Sequence, residues 1–209
     1  IGGRITVDDL RNAAVNSVGT TGQGKTDAVE PSNTHEEVKL TNIRKVIAKS
    51  MHNSLSTTAQ LTLNASFDAT DILAFRKKLK ENREKLGLQN ITLNDIILYA
   101  VSRIILKYRE LNAHFLDEKM LLFKDVHLGT AVDTERGLMV PTIFNANRKS
   151  LDKLAAEAKK LAEECQKGTI NPDYLKSASF TVTNLGALDI ESFTPVINPP
   201  QTGILGVCN

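Results

Sequence analysis

Residues 179–184, SFTVTN, constrain the fold more than any other stretch of this chain. Phe180 and Val182 are apolar, whereas Ser179, Thr181 and Thr183 carry hydroxyls. Successive strand residues point to opposite faces, so the run reads as a β-strand with one buried face and one hydroxyl-lined face. Leu185-Gly186 breaks it, and a second short run over 193–197 ends at Asn198-Pro199-Pro200, because proline donates nothing to a ladder. A third run, 203–207, is apolar throughout and reads as a strand covered on both sides.

Upstream, the apolar period becomes helical from Thr41, which can cap a helix with Ile43, Val46, Ile47, Met51 and Leu55 on one face. Residues 60–67 alternate Leu61, Leu63, Ala65 and Phe67 with polar side chains, the pattern of a half-exposed strand. Asp68 or Thr70 then caps a helix with Ile72, Phe75, Leu79 and Leu86 inward and Gly87 as its stop. Its outer side is Arg76, Lys77, Lys78, Lys80, Arg83 and Lys85. That row reads as a solvated face, with docking to an acidic partner as the lesser alternative.

Thr92 and Asp95 resemble a capping box. The helix behind them carries Ile96, Ile97, Ala100, Val101, Ile104, Ile105 and Tyr108, widened by Leu93, Leu98 and Leu106, and reads as central and buried. A hairpin is expected around Asp117-Glu118-Lys119, strands over 126–133 and 138–146, and a last helix from Ser150 to Gly168. Cys165 falls on the apolar stripe of that helix, which favours a packed thiol over a nucleophile. Strands interspersed with helices, without βαβ regularity, predict a mixed α/β sheet with helices packed on it.

A length of 209 residues accommodates one full domain plus appendages. The 26 basic and 24 acidic residues are interspersed for a net charge of +2, without the basic stripe expected of a nucleic-acid partner. No apolar run approaches the length of about 18 residues that a membrane span needs. Cys165 and Cys208 form neither a CxxC motif nor a disulfide framework, so a reducing compartment is expected, the cytoplasm by preference or the mitochondrial matrix in a eukaryote. The chain begins Ile-Gly-Gly and is expected not to start at a native N-terminus.

Residues 13–37, rich in Gly, Thr, Ser, Asn and Glu, read as a flexible linker. Within them 19–26, GTTGQGKT, fits the letters of a phosphate-binding loop. The residues that follow, DAVEPSN, make no amphipathic helix to meet the phosphates, so chance is preferred to a nucleotide site. His35, His52, His114 and His127 show no zinc-ligand spacing and no neighbouring nucleophile motif; no metal is expected. Thr183, on the polar side of a strand that breaks at Asn184-Leu185-Gly186, has the position of an oxyanion donor. A plain strand threonine remains the alternative at this point.

Several ordered blocks resemble the dihydrolipoamide acyltransferase (E2) components of 2-oxo acid dehydrogenase complexes. They are LTNIRKVIAKSM (40–51), LNDIILYAVSRIILKYRELNA (93–113), HLGTAVDTERGLMVPTI (127–143), SLDKLAAEAKKLAEE (150–164), SFTVTNLG (179–186) and FTPVINPPQTGILGV (193–207). The resemblance implies a chloramphenicol-acetyltransferase-like two-layer sandwich over 38–209, preceded by the linker and, at 1–12, by the tail of a peripheral-subunit-binding domain. It implies transfer of an acyl group, with acetyl preferred, from lipoyl-lysine carried on a domain not in this chain to coenzyme A. Trimers building a larger core, with E1 and E3 as partners, come with it.

Thr183 falls on the family's oxyanion-stabilising Ser/Thr position. Asn184, Gly186 and Asn198, in the same blocks, are expected to contact substrate. The family's general base is a histidine in H-x-x-x-D-G. No such run occurs in these 209 residues, and the stretch Ser56-Thr57-Thr58-Ala59-Gln60 lacks the Pro-His often found there in relatives. The expectation is a catalytic domain incomplete at its C-terminus and inactive by itself. A non-catalytic E2-like scaffold is the alternative.

Overall fold

The computed structural model describes residues 35–209. Two units divide the chain, Ile1–Lys39 and Leu40–Asn209. The 1–12 segment, the 19–26 pattern and most of the 13–37 linker lie outside the described residues. Residues 35–39 are exposed and belong to no helix or strand.

The second unit opens with α1 (Asn42–Thr57), whose start is fixed by the Thr41 hydroxyl accepting from the Arg44 N–H. Ile43, Ile47 and Met51 are half-buried and Ser54 is fully buried, while Val46 and Leu55, expected on the same face, are exposed. The strand expected over 60–67 is absent: Leu61, Leu63 and Phe67 are 82%, 83% and 68% exposed and enter no ladder. Alternation can define a face, but a strand also needs a neighbour's amides and carbonyls. None of the described strands supplies them here.

The basic helix is two elements, α2 (Thr70–Glu81) and the single turn α3 (Arg83–Leu86), divided at Asn82 and ended by Gly87 at φ +62°. Asp68 receives the Thr70 N–H. Ile72, Arg76 and Leu79 are half-buried whereas Phe75 is exposed, so Arg76 is drawn inward instead of standing in the outer row. The capping box is present at α4 (Leu93–Ile104), where Thr92 and Asp95 exchange side-chain and backbone bonds.

After α4 comes a hairpin of β1 (Ala113–Leu116) and β2 (Lys119–Leu122), turned at Asp117 with φ +51°. The main sheet contains β3 (Leu128–Thr130), β4 (Thr142–Ile143), β5 (Phe180–Asn184) and β6 (Ile204–Val207), in the order β4-β3-β5-β6. β3 runs antiparallel to β4 and parallel to β5, and β5 runs parallel to β6. The sheet is therefore mixed, as the pattern of elements predicts. The strands expected at 126–133 and 138–146 shrink to β3 and β4, with an isolated bridge between Val132 and Met139. The parallel return from β3 to β5 is carried by α5 (Leu151–Lys167), capped by Ser150 and stopped by Gly168 at φ +69°.

Helices α4 and α5 bury the Phe180/Val182 face of the sheet, with Leu98, Leu128, Ile143, Leu154 and Leu161 in one cluster. Cys165 is fully buried, as its place on the stripe predicts. Within the 203–207 run Gly203 is buried and 204–207 form the strand, but that strand lies at the sheet edge and its residues are half-buried or exposed, so it is not covered on both sides. An edge position leaves one row of backbone groups without a ladder.

Residues 193–197 form no ladder either, yet they are held firmly. Ser54 Oγ donates to the Ile197 carbonyl at 2.6 Å and accepts from Gln60 Nε2 at 3.0 Å, while the Ile197 N–H donates to Gln60 Oε1 at 3.3 Å. Side chains of residues 54 and 60 thus give Ile197 the donor and acceptor that a neighbouring strand normally provides.

Candidate active site

The hydroxyl side of β5 is an interior surface, not the open face that alternation suggests. Ser179 and Thr181 are fully buried. Ser179 Oγ donates to Asn112 Oδ1 at 2.6 Å and accepts from the His127 N–H at 3.0 Å. Thr181 Oγ1 donates to Gln201 Oε1 at 2.7 Å and stands 3.4 Å from Asn198 Nδ2. Buried hydroxyls need such partners, because an unpaired one carries the full desolvation penalty. Thr183, two residues further, is half-buried, and among the described residues no group hydrogen-bonds to its hydroxyl.

The strand ends immediately beyond Thr183. Asn184 Nδ2 donates to Asn94 Oδ1 at 3.0 Å, and Asn184 Oδ1 accepts from the Gly186 N–H at 2.9 Å. A Cβ on Gly186 would lie 2.9 Å from the Cys208 carbonyl oxygen, so the turn closes only with glycine there. Asn184 and Gly186 therefore stand together with Thr183. Asn198 does not join them: its amide faces Thr181, one full strand repeat away on the same side. On β6 the partner of Thr183 is Gly206, and the ring of half-buried Phe193 occupies the place of a Gly206 side chain.

The histidines lie elsewhere. His114 Nε2 is 2.7 Å from the Ala178 carbonyl, and His127 Nδ1 accepts from the Asn145 N–H at 3.2 Å. Both rings meet Phe123 edge-on, at centroid distances of 4.7 and 5.6 Å. This cluster sits at the Ser179 end of β5, about 13 Å from Thr183 at the usual strand rise. His35 and His52 are exposed. Among the described residues no group of three or more His, Cys, Asp or Glu could hold a metal ion. Burial, assisted by the neighbouring Glu164, pushes the Cys165 thiol up, in keeping with a packed and unreactive side chain.

Burial holds the His127 imidazole below its ordinary pKa; the nearby His114 adds to the effect and Asp125 opposes it. The neutral form is thus the one the fold accommodates, accepting at Nδ1. Protonation is easier in the unfolded chain, so stability is complete above about pH 6.5 and declines as pH falls from there through the lower folded value. Urea midpoints measured between pH 5 and 7.5 should show this decline, and His127→Gln should flatten it; parallel profiles would refute the assignment.

A cleft of about 460 Å³ opens between the first turn of α4 and α5, lined by Asn90, Thr92, Asn94, Thr130, Ala158 and Lys159 among others. Thr130 pairs with Val182, which places the cleft on the helical side of the sheet, opposite Thr183. Asn94, which lines the cleft, is bonded to Asn184 beside Thr183. Neither Asn94 nor the pair of Phe193 and Gly206 follows from periodicity. A glycine inside an apolar strand does signal close approach of another group, and Gly206 carries that signal.

Residues 32–209 match the model of the 2-oxoacid dehydrogenases acyltransferase catalytic domain. Over 208 residues, 99% of the chain, it is 35% identical to the dihydrolipoyllysine-residue acetyltransferase component of the acetoin cleaving system of Bacillus subtilis, of which it covers 50%. Over 171 residues, 81% of the chain, it is 36% identical to the corresponding component of the B. subtilis pyruvate dehydrogenase complex, of which it covers 38%. The chain thus spans half or less of these relatives. Its fold is similar to the Azotobacter vinelandii dihydrolipoamide acetyltransferase, with a TM-score of 0.78 and 35% identity over 82% of this chain and 71% of that one. It is similar as well to the cubic core of a pyruvate dehydrogenase multienzyme complex, with a TM-score of 0.79 and 32% identity over 90% of this chain and 77% of that one.

Proposed function

Because the chain belongs to the 2-oxoacid dehydrogenase acyltransferase family, we propose that it carries the oxyanion-binding part of a dihydrolipoamide acetyltransferase and moves an acetyl group from dihydrolipoyl-lysine to coenzyme A. The observation that supports this most directly is Thr183: the buried hydroxyls of β5 are engaged, and this one, where the strand ends, is left to donate.

The reaction asks for two things. A base must take the thiol proton of coenzyme A, and a donor must meet the negative charge that forms on the thioester oxygen. The thiolate sulfur attacks the acyl carbon, and the C=O π bond becomes an oxyanion that accepts from Thr183 Oγ1–H. When the carbonyl re-forms, the C–S bond to the dihydrolipoyl arm breaks and that sulfur receives from the base the proton taken from coenzyme A. Asn184 and Gly186 hold the turn that presents Thr183. Asn198, expected to contact substrate, acts in this reading from one strand repeat away, by holding Thr181 and the segment over it.

The base is the family's H-x-x-x-D-G histidine. That run does not occur in the 209 residues, and His114 and His127 lie at the other end of β5. In this reading the active unit is a trimer within a larger core, served by E1, E3 and a lipoyl domain. It works in the cytoplasm of a bacterium, or in the mitochondrial matrix of a eukaryote. The relative solved as a cubic core supports the assembly.

The test is the full-length gene product with acetyl-dihydrolipoamide and coenzyme A, with acetyl-coenzyme A followed by mass spectrometry. Catalytic turnover is expected. An assembled core that forms no acyl-coenzyme A from acetyl, succinyl or branched donors would overturn the enzyme reading and support the scaffold.

A further inference from the structure

We propose that the ring of Phe193, lodged over Gly206, is the wall of the acyl pocket and limits the transferred group to a short one. The proposal rests on the acyltransferase reading and adds to it a residue that sets specificity. Thr183 and Gly206 are partners in the parallel ladder of β5 and β6. Partnered residues project from the same face of a sheet, one strand spacing of about 4.8 Å apart. A Cβ built on Gly206 would lie 2.9 Å from Phe193 Cζ, 3.2 Å from Cε1 and 3.4 Å from Cε2. The tip of the ring therefore fills the side-chain position directly beside Thr183.

Gly206 is not a turn glycine. Among the described residues the glycines with positive φ are Gly87, Gly137 and Gly168, and Gly206 sits inside β6. A glycine inside a strand weakens it, so its presence is explained by the aromatic ring that it admits.

The chemistry of the intermediate says what meets that ring. An oxyanion bound by Thr183 lies about 2.8 Å from its hydroxyl, which leaves the acyl carbon within reach of the neighbouring strand position. Of the other groups on that carbon, the two sulfurs belong to long arms that must lead out of the site. The acyl substituent is the one that ends inside, and a half-buried apolar ring is the surface that suits it. A methyl group fits against the ring, and added carbons collide with it.

The experiment compares kcat/KM for isobutyryl- and acetyl-dihydrolipoamide in the full-length gene product. Phe193→Leu and Phe193→Ala should raise the isobutyryl-to-acetyl ratio by about tenfold or more, the scale of discrimination by small changes in an apolar pocket. Gly206→Ala should depress acetyl transfer by displacing the ring from its place beside Thr183, and Phe193→Leu in the same chain should restore it. Thermal unfolding of each variant confirms that it is folded. An isobutyryl-to-acetyl ratio within twofold of wild type in folded Phe193→Leu, with acetyl transfer intact, overturns the wall alone. A wild type that transfers no acyl group overturns the acyltransferase reading and this proposal with it.

Discussion

Thr183→Ala is expected to lower kcat of the full-length gene product by about 10²–10³ while leaving KM close to wild type, the scale for losing one oxyanion donor. The reason for a kcat effect is that the hydroxyl has its strongest partner only when charge has formed. A bond made in the transition state and not in the ground state changes the rate and spares the binding. Thr183→Ser keeps the donor and should retain most of the activity. Thr183→Val keeps the shape without the donor and should fall with alanine. Because Thr183 is half-buried and its hydroxyl carries no bond to the described protein groups, none of these changes should move the Tm appreciably. Steady-state kinetics with acetyl-dihydrolipoamide decide the matter: an undiminished kcat in Thr183→Val would make the hydroxyl an ordinary strand side chain.

Asn112→Ala should be the most damaging single change outside that site. Asn112 is 1% exposed. Its amide donates to the Phe123 carbonyl at 3.0 Å and the Asp125 carbonyl at 3.2 Å, and its oxygen accepts from Ser179 Oγ at 2.6 Å. One side chain thus ties the end of the β1–β2 hairpin to the start of β5. Truncation leaves buried polar groups unpaired as well as a void, for a loss of about 3–5 kcal/mol. In a domain of this size that lowers Tm by about 6–20 °C. Differential scanning calorimetry measures it, and a decrease below 2 °C would show that water replaces the amide without loss.

The helices were readable because their signals are local. Thr41, Thr92 and Ser150 each accept a backbone N–H at a helix start, and Gly87 and Gly168 end helices with positive φ. These depend on neighbours three or four residues away, which the sequence displays directly. The sheet was less readable because pairing is not local. Residues 60–67 alternate as well as 179–184 do, yet only the second set finds partners, in β3 and β6. The apolar run at 203–207 resembles a covered strand, but its place at the edge is decided by which strands lie beyond it.

The same distinction holds at the candidate site. Thr183 was visible as the hydroxyl at a strand break. That Ser179 and Thr181 are engaged and Thr183 is not depends on Asn112 and Gln201, residues 67 and 20 positions away from their partners. Asn198 stood in the right sequence block and faces Thr181, because the loop carrying it is held lower on the sheet by Ser54 and Gln60. Arg76 was placed outside by its charged neighbours, whereas a rotation of α2 turns it inward.

The clasp on Ile197 also sets a schedule for synthesis. The carbonyl that Ser54 must meet leaves the ribosome 143 residues after it. At elongation rates of about 5–20 residues per second, that interval is about 7–30 s. Throughout it Ser54 has its hydroxyl in hand without the carbonyl it holds, so this clasp between α1 and the segment over the hydroxyl side of the sheet closes only after residue 197 has been made.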